Sequence, residues 1–131
     1  MVNLIVNKKK SEFLHFFKIL FLRTTWSYYF TNINQSIVLD YAQQIVDHGY
    51  PRSNLEIDDK WENLYGDLDF YTKSFPDMKT LSNQLHNLGF RVTLWVHPFC
   101  NIDAQCFVDG ANNGYWVKQL NSDLPGLTSW W

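Results

Sequence analysis

The feature that most constrains the fold of this chain is a regular alternation of short apolar strands with amphipathic helices. The first predicted helix starts after Asn34, a residue type that commonly caps helices. It ends at Gly49, and Pro51 prevents its continuation. Its apolar residues recur at the three- and four-residue spacing of one helix face: Ile37, Val38, Tyr41, Ile45 and Val46.

A second amphipathic helix is predicted between Pro76, which suits a first helical turn, and Gly89. Its apolar face comprises Phe75, Met78, Leu81, Leu85 and Leu88. Strands are predicted on either side of the two helices, over Leu22–Tyr29, Asn54–Trp61 and Arg91–Pro98. A further helix with a short hairpin is predicted over Asp103–Lys118.

The second and third strands alternate apolar and polar residues with period two, so their two faces differ. In the second strand, Leu55 and Ile57 share one face, and Glu56 and Asp58 share the other. In the third strand, Val92, Leu94 and Val96 lie opposite Thr93, Trp95 and His97.

Strands that alternate with helices in this way are typical of parallel βαβ units in an α/β protein. Two architectures fit, a doubly wound sheet and a (β/α)8 barrel. A doubly wound nucleotide-binding domain requires a glycine-rich turn after its first strand, and residues 26–34 contain no glycine. Polar residues near the strand ends favour the barrel, whose active sites lie there. Since a complete barrel takes about 250 residues, we expect a partial (β/α)8 barrel of about three β/α units.

Composition excludes some classes of function and leaves others open. The net charge is −2, without a basic stripe, which argues against nucleic acid as a partner. Aromatic residues make up 18 % of the chain and include six tryptophans, which is compatible with a sugar-binding cleft or with a Trp-rich core. Cys100 and Cys106 form no zinc motif with the scattered histidines, so no metal and no cofactor are predicted. Within one helix, a separation of six favours free thiols over a disulfide.

The first 21 residues are interpreted as a lead-in of uncertain status, and residues 22–131 as an incomplete barrel domain. Lys8–Lys10 precede an apolar run, Phe13–Leu22, that imitates a signal peptide. His15 and Lys18 interrupt this run, which is too short to cross a bilayer. A targeting segment, a packed helix and an artefactual chain start all remain open. Membrane attachment is expected only through an anchor outside this chain.

Several motifs, in order along the chain, resemble glycoside hydrolase family 31. The resemblance covers about Thr24 to Trp131, and the motifs span Asn34–Ala42, Leu55–Glu62, Tyr65–Phe70, Phe75–Lys79 and Leu85–Phe99. It implies a retaining exo-α-glycosidase that uses two catalytic aspartates on later barrel strands, one of them in a K-x-D-x-x-E or W-x-D-x-x-E motif. No such motif precedes Trp131, so no catalytic residue is assigned and the isolated chain is expected to be inactive.

The resemblance implies that five residues bind the terminal α-linked sugar: Trp26, Glu56, Asp58, Trp95 and His97. Glu56 and Asp58 match an acidic pair that holds sugar hydroxyls, and two carboxylates inside a barrel are costly without such a role. Glu56 replaces the commoner aspartate, which argues against the usual glucose preference, and the resemblance implies an α-galactoside rather than an α-glucoside. Trp26 and Trp95 would supply aromatic walls. Trp95 is also explained as a layer-filling side chain, and His97 as a structural residue before Pro98.

The remaining expectations concern the setting of the domain. Asp59 and Lys60 are interpreted as a solvated pair, and Asn34-Gln35-Ser36 is an N-glycosylation sequon that helix capping alone would also explain. The parent protein is expected in the secretory pathway, in the endoplasmic reticulum, the lysosome or outside the cell. The remainder of the barrel is expected to be needed for stability, because open strand edges promote association. The alternative functions are a non-catalytic carbohydrate-binding or interaction fragment and a doubly wound domain unrelated to sugars.

Overall fold

The computed structural model describes residues 22–129, and the predicted lead-in, residues 1–21, lies outside them. Three strands, β1 (Leu22–Thr24), β2 (Asn54–Ile57) and β3 (Arg91–Leu94), form a parallel sheet in the order β1-β2-β3. The helices are α1 (Trp26–Tyr29), α2 (Gln35–Asp47), α3 (Met78–Asn87) and α4 (Gln105–Asn112). This arrangement confirms the predicted α/β class and agrees with a partial barrel.

The chain divides into two compact units, which are described separately. The first comprises Met1–Trp61 with Phe70–Val96, and in its described part contains the sheet and helices α1 to α3. The second comprises Glu62–Asp69 with His97–Trp131, and it contains α4.

Helix α2 begins and ends where the sequence predicts. The Asn34 side chain accepts a hydrogen bond from the Ile37 backbone N–H at 2.9 Å and so caps the first turn. At the other end Gly49 adopts a φ of +69°, and its N–H donates to the Val46 carbonyl at 2.9 Å. The Tyr50 N–H donates to the Ile45 carbonyl at 3.0 Å, which completes a Schellman motif.

Helix α3 begins later than predicted, because Asp77 caps it and Pro76 lies outside the helix. The Asp77 carboxylate accepts hydrogen bonds from the Thr80 N–H at 2.9 Å and from the Thr80 hydroxyl at 2.6 Å. Gly89, with a φ of +93°, ends α3 with the same pair of hydrogen bonds that closes α2.

The core of the first unit lies between β2 and the helices α2 and α3. Leu55 and Ile57 are completely buried, as the alternation in β2 predicts. They belong to one cluster of buried apolar residues together with Val38, Ala42 and Ile45 from α2, Leu81 and Leu85 from α3, and Phe75, Phe90, Ile33 and Trp61 from the connections. By the period-two geometry of a strand, Glu56 therefore faces away from the two helices.

All three strands are shorter than predicted, and the first prediction is wrong over half its length. β1 ends at Thr24, and residues 26–29 form one helical turn instead of continuing the strand. The Tyr29 N–H donates to the Thr25 carbonyl at 3.0 Å, and the Phe30 N–H to the Trp26 carbonyl at 3.1 Å. Local hydrogen bonding thus overrides the strand preference of Trp and Tyr. The predicted hairpin is reduced to one antiparallel bridge, which joins Lys118, the last residue of the predicted range, to Pro125 beyond it.

In the second unit, the prediction of free thiols is wrong. Cys100 and Cys106 form a disulfide with a Cα–Cα distance of 6.9 Å. The two residues do not share a helix, because Cys100 precedes α4 and Cys106 lies in its first turn. The disulfide lies against Gly66, where an added Cβ would meet the Cys106 Sγ at 2.7 Å. Asp67 accepts hydrogen bonds from the first N–H groups of α4, from Gln105 at 3.2 Å and from Cys106 at 2.9 Å.

Within residues 22–129, no helix has the length and apolar character that a membrane span requires.

Shortening Leu55 to alanine should lower the free energy of unfolding by about 2–5 kcal/mol, since it removes completely buried methyl groups. The control is Val117→Ala, at a side chain that is 85 % exposed, for which we expect a change within about 0.5 kcal/mol. Urea denaturation followed by circular dichroism measures both. Equal effects of the two variants would contradict the placement of Leu55 in the core.

Candidate functional site

The candidate site lies where β1 and β2 end, and the strand register brings its polar residues together. Thr24, the last residue of β1, pairs with Glu56 of β2. Asp58 follows directly after β2. In parallel α/β folds the carboxyl ends of the strands are the usual position of binding sites. Two neighbouring strand ends thus supply a hydroxyl and two carboxyl groups.

Asp58 is held by hydrogen bonds to its side chain and its backbone. The Thr24 hydroxyl donates to Asp58 Oδ2 at 2.6 Å, and the Asp59 backbone N–H donates to Oδ1 at 2.9 Å. The Asp58 N–H donates to the hydroxyl of Thr25, a completely buried residue, at 3.0 Å. Each carboxylate oxygen of the buried Asp58 therefore accepts a hydrogen bond, which holds the group in one orientation.

The Thr24 hydroxyl has a defined orientation. Its oxygen accepts a hydrogen bond from the Trp26 backbone N–H at 3.2 Å, and its single hydrogen is donated to Asp58. Thr24 is therefore a positioning residue for the carboxyl pair.

Glu56 has the less favourable electrostatic environment of the pair. Burial raises its pKa above the ordinary value, and the negative charge of Asp58 raises it further. The polar Thr24 side chain nearby opposes this shift, whereas the carboxyl group of Asp58 adds to it. Glu56 is the half-buried member of the pair, and its surroundings raise its pKa.

The two tryptophans assigned to the site are both half-buried. Trp26 opens α1, and its ring makes an edge-to-face contact with Phe30 at 5.5 Å between centroids. The backbone of Trp95 is fixed against β2, because its N–H donates to the Ile57 carbonyl at 3.0 Å. The Trp95 carbonyl also accepts from the Trp61 indole N–H at 2.7 Å.

His97 belongs to the second unit and is described with it. Its Nδ1 accepts a hydrogen bond from the Phe99 backbone N–H at 3.0 Å. The imidazole lies 4.5 Å from the Tyr65 ring and 5.6 Å from the Phe99 ring, centroid to centroid.

Sequence reasoning missed Thr24 and Thr25 and misjudged Asp59. The interpretation of Asp59 and Lys60 as a solvated pair is wrong for Asp59, which is only 1 % exposed, while Lys60 is exposed with a φ of +74°. The Lys60 backbone N–H donates to Asp59 Oδ1 at 2.6 Å, so this oxygen of the buried carboxylate has a backbone donor. The sequence feature that could have indicated these threonines is the pair of adjacent hydroxyl residues in the first predicted parallel strand.

Comparison with known proteins gives a family and a fold. A family described as glycosyl hydrolases family 31 TIM-barrel domain matches residues 17–131. Myogenesis-regulating glycosidase of Mus musculus is 40 % identical over 108 residues, which cover 82 % of this chain and 15 % of that protein. The α-xylosidase XylQ of Lactiplantibacillus pentosus is 23 % identical over 113 residues, which cover 85 % of this chain and 14 % of the α-xylosidase. The chain thus spans about a seventh of the length of these relatives.

Solved structures share the fold at lower identity. An α-galactosidase from Thermus thermophilus, in complex with p-nitrophenyl α-D-galactopyranoside, superposes with a TM-score of 0.65 and 23 % identity. That match covers 80 % of this chain and 21 % of the α-galactosidase. A xylosidase from Aspergillus niger superposes with a TM-score of 0.62 and 23 % identity, and the match covers 74 % of this chain and 13 % of the xylosidase.

Replacing Glu56 by glutamine should raise stability at neutral pH but not in acid. A carboxyl group with a raised pKa contributes stability below its ordinary value of 4.5, and this contribution is lost as the pH rises through the folded-state pKa. The difference between Glu56→Gln and the original chain should therefore grow from pH 4 towards pH 7. Thermal melting across this range measures it, with Asp40→Asn at an exposed helix position as the control. A difference independent of pH would contradict the raised pKa.

Thr24→Val should raise the pKa of Glu56 further, because it removes the polar hydroxyl group whose influence lowers this pKa. The variant keeps the side-chain shape and loses only the hydroxyl, whereas Thr24→Ser keeps the hydroxyl. Carboxyl ¹³C NMR titration of the three proteins gives the pKa directly. If the pKa of Glu56 is the same in Thr24→Val and Thr24→Ser, the hydroxyl of Thr24 does not position the pair.

Proposed function

Because the chain belongs to glycoside hydrolase family 31, we propose that it forms the sugar-contacting first part of a retaining exo-α-glycosidase barrel. An α-galactoside is the preferred substrate class in this proposal. The family itself consists of glycosidases, and an α-galactosidase complex is among the structures that share this fold.

The observation that carries the proposal is the Glu56–Asp58 pair at the end of β2. The donors around Asp58 keep it as an oriented acceptor, and a carboxylate can accept further hydrogen bonds beyond one per oxygen. Adjacent hydroxyl groups of a pyranose are suitable donors for such a pair.

Trp26 and Trp95 are proposed as aromatic walls for the same sugar. An indole ring offers an apolar surface to the C–H face of a pyranose and keeps an N–H donor. Both side chains are half-buried, so part of each ring is open to a ligand. His97 remains a predicted sugar contact on the strength of the resemblance alone.

The pair is not proposed to perform catalysis. Retention of configuration needs a nucleophile and an acid/base about 5–5.5 Å apart that flank the scissile bond. Glu56 and Asp58 are two residues apart at the end of one strand and interact with each other. We therefore expect the 131-residue chain alone to lack glycosidase activity.

Further barrel strands are proposed as the structural partner of the sheet. Within residues 22–129, β1 and β3 each pair along one edge only, with β2. Parallel strands are stable when both neighbours and both faces are covered.

Binding of methyl α-D-galactopyranoside tests the sugar site. We expect ¹⁵N chemical shifts around Thr24 and Glu56 to move on titration, and methyl α-D-glucopyranoside and methyl α-D-xylopyranoside to bind more weakly. Asp58→Asn should weaken binding about ten- to hundredfold, the effect of losing a charged hydrogen-bond partner worth about 1.5–3 kcal/mol. Asp40→Asn, a charge change of the same type on exposed α2, should leave binding unchanged.

The same proteins are assayed with p-nitrophenyl α-D-galactopyranoside and the matching glucoside. Hydrolysis that is lost in Glu56→Ala would contradict the non-catalytic role of the pair. Absence of binding for all three sugars would contradict the sugar site itself. Binding by a purified parent protein that never hydrolyses any of the sugars would favour a carbohydrate-binding module.

A further inference from the structure

The sequon Asn34-Gln35-Ser36 stands at an accessible point of the first unit. Asn34 is half-buried at the start of α2, while Ser36 and the preceding Thr31 and Asn32 are exposed. The residue between Asn34 and Ser36 is not proline, as the glycosylation signal requires.

The two polar atoms of the Asn34 side chain have separate roles. Oδ1 accepts hydrogen bonds from the Ile37 N–H at 2.9 Å and from the Ser36 hydroxyl at 2.8 Å. Nδ2, the atom that a glycan would occupy, donates no hydrogen bond among the described residues. Helix capping uses Oδ1 and glycan attachment would use Nδ2, so the two roles do not compete for the same atom.

An independent observation comes from the second unit. Its two cysteines form the disulfide Cys100–Cys106, and no described cysteine is free. Disulfides of this structural kind persist in oxidising compartments and are rare in reducing ones. The secretory pathway provides such a compartment, and N-glycosylation takes place in it.

We propose that Asn34 carries an N-linked glycan, added where the Cys100–Cys106 disulfide forms. In the transfer, Nδ2 bonds to the anomeric carbon of an oligosaccharide held on a lipid pyrophosphate. The bond from that carbon to the pyrophosphate oxygen breaks, the pyrophosphate leaves with the electron pair, and Nδ2 loses one proton. For the disulfide, an exogenous disulfide takes up the two electrons and two protons that the thiols release.

The glycan would stand at the same end of the first unit as the carboxyl pair. α2 follows β1 along the chain, so its N-terminus lies towards the carboxyl end of the parallel strands. This inference does not depend on sugar binding by Glu56 and Asp58, because neither residue takes part in it.

Peptide mapping of the protein purified from the cells that make it tests the proposal. We expect the peptide containing Asn34 to carry a glycan, and peptide N-glycosidase treatment in ¹⁸O-water to leave labelled aspartate at position 34. Non-reducing digestion should yield a disulfide-linked peptide containing Cys100 and Cys106. Unmodified Asn34 in all molecules would overturn the proposal, whether or not the disulfide is found.

Three variants expressed in the same cells separate glycosylation from folding. Asn34→Asp keeps a good helix cap without the acceptor nitrogen, and Ser36→Ala keeps Asn34 but removes the sequon. Ser36→Thr retains both features. Only the original protein and Ser36→Thr should shift in electrophoretic mobility after glycosidase treatment. A shift that persists in Asn34→Asp or Ser36→Ala would assign the glycan to another residue and overturn the proposal.

Discussion

The alternation of side chains along β2 is the constraint on which the first unit depends. Leu55 and Ile57 are completely buried in one apolar cluster with α2 and α3. The same period of two turns Glu56 to the opposite face, and the carboxyl end of the strand presents Asp58. A shift of one residue in this register would expose the aliphatic residues and bury Glu56 against the helices. The same four consecutive residues, Leu55 to Asp58, therefore set both the stability of the fold and the geometry of the site.

The burial of Asp58 explains why threonines are needed at the end of β1 and directly after it. Asp58 is 7 % exposed, and a buried carboxylate is tolerated only with compensating hydrogen bonds. Thr24 donates to its side chain, and Thr25 accepts its backbone N–H. Burial raises the pKa of Glu56, and the negative charge of the neighbouring Asp58 raises it further. The asymmetry between the two carboxyl groups follows from the side chains that β1 supplies.

Features that depend on neighbouring residues were predictable from sequence, and those that depend on distant ones were not. The bounds of α2 follow from Asn34 and Gly49, whose hydrogen bonds reach only a few residues along the chain. The burial of Asp59 depends on packing that no local pattern reports. The disulfide was misjudged because both cysteines were assigned to one helix, whereas the structure starts α4 only at Gln105. The acidic pair was predicted as a sugar contact from the family resemblance and the alternation in β2, but the hydroxyl of Thr24 that bonds to Asp58 was not predicted.

The early end of β1 and the assembly of the site have a common cause. The Trp26 N–H, which would extend a strand ladder, is donated to the Thr24 hydroxyl, and the chain turns into α1 at that point. Accepting this hydrogen bond leaves the hydroxyl with its hydrogen directed to Asp58 at 2.6 Å. One side chain therefore ends the strand, places Trp26 outside the sheet and orients the carboxylate. The sequence signal for a strand through Tyr29 fails at the residue where the candidate site begins, because local hydrogen bonding there overrides the strand propensity.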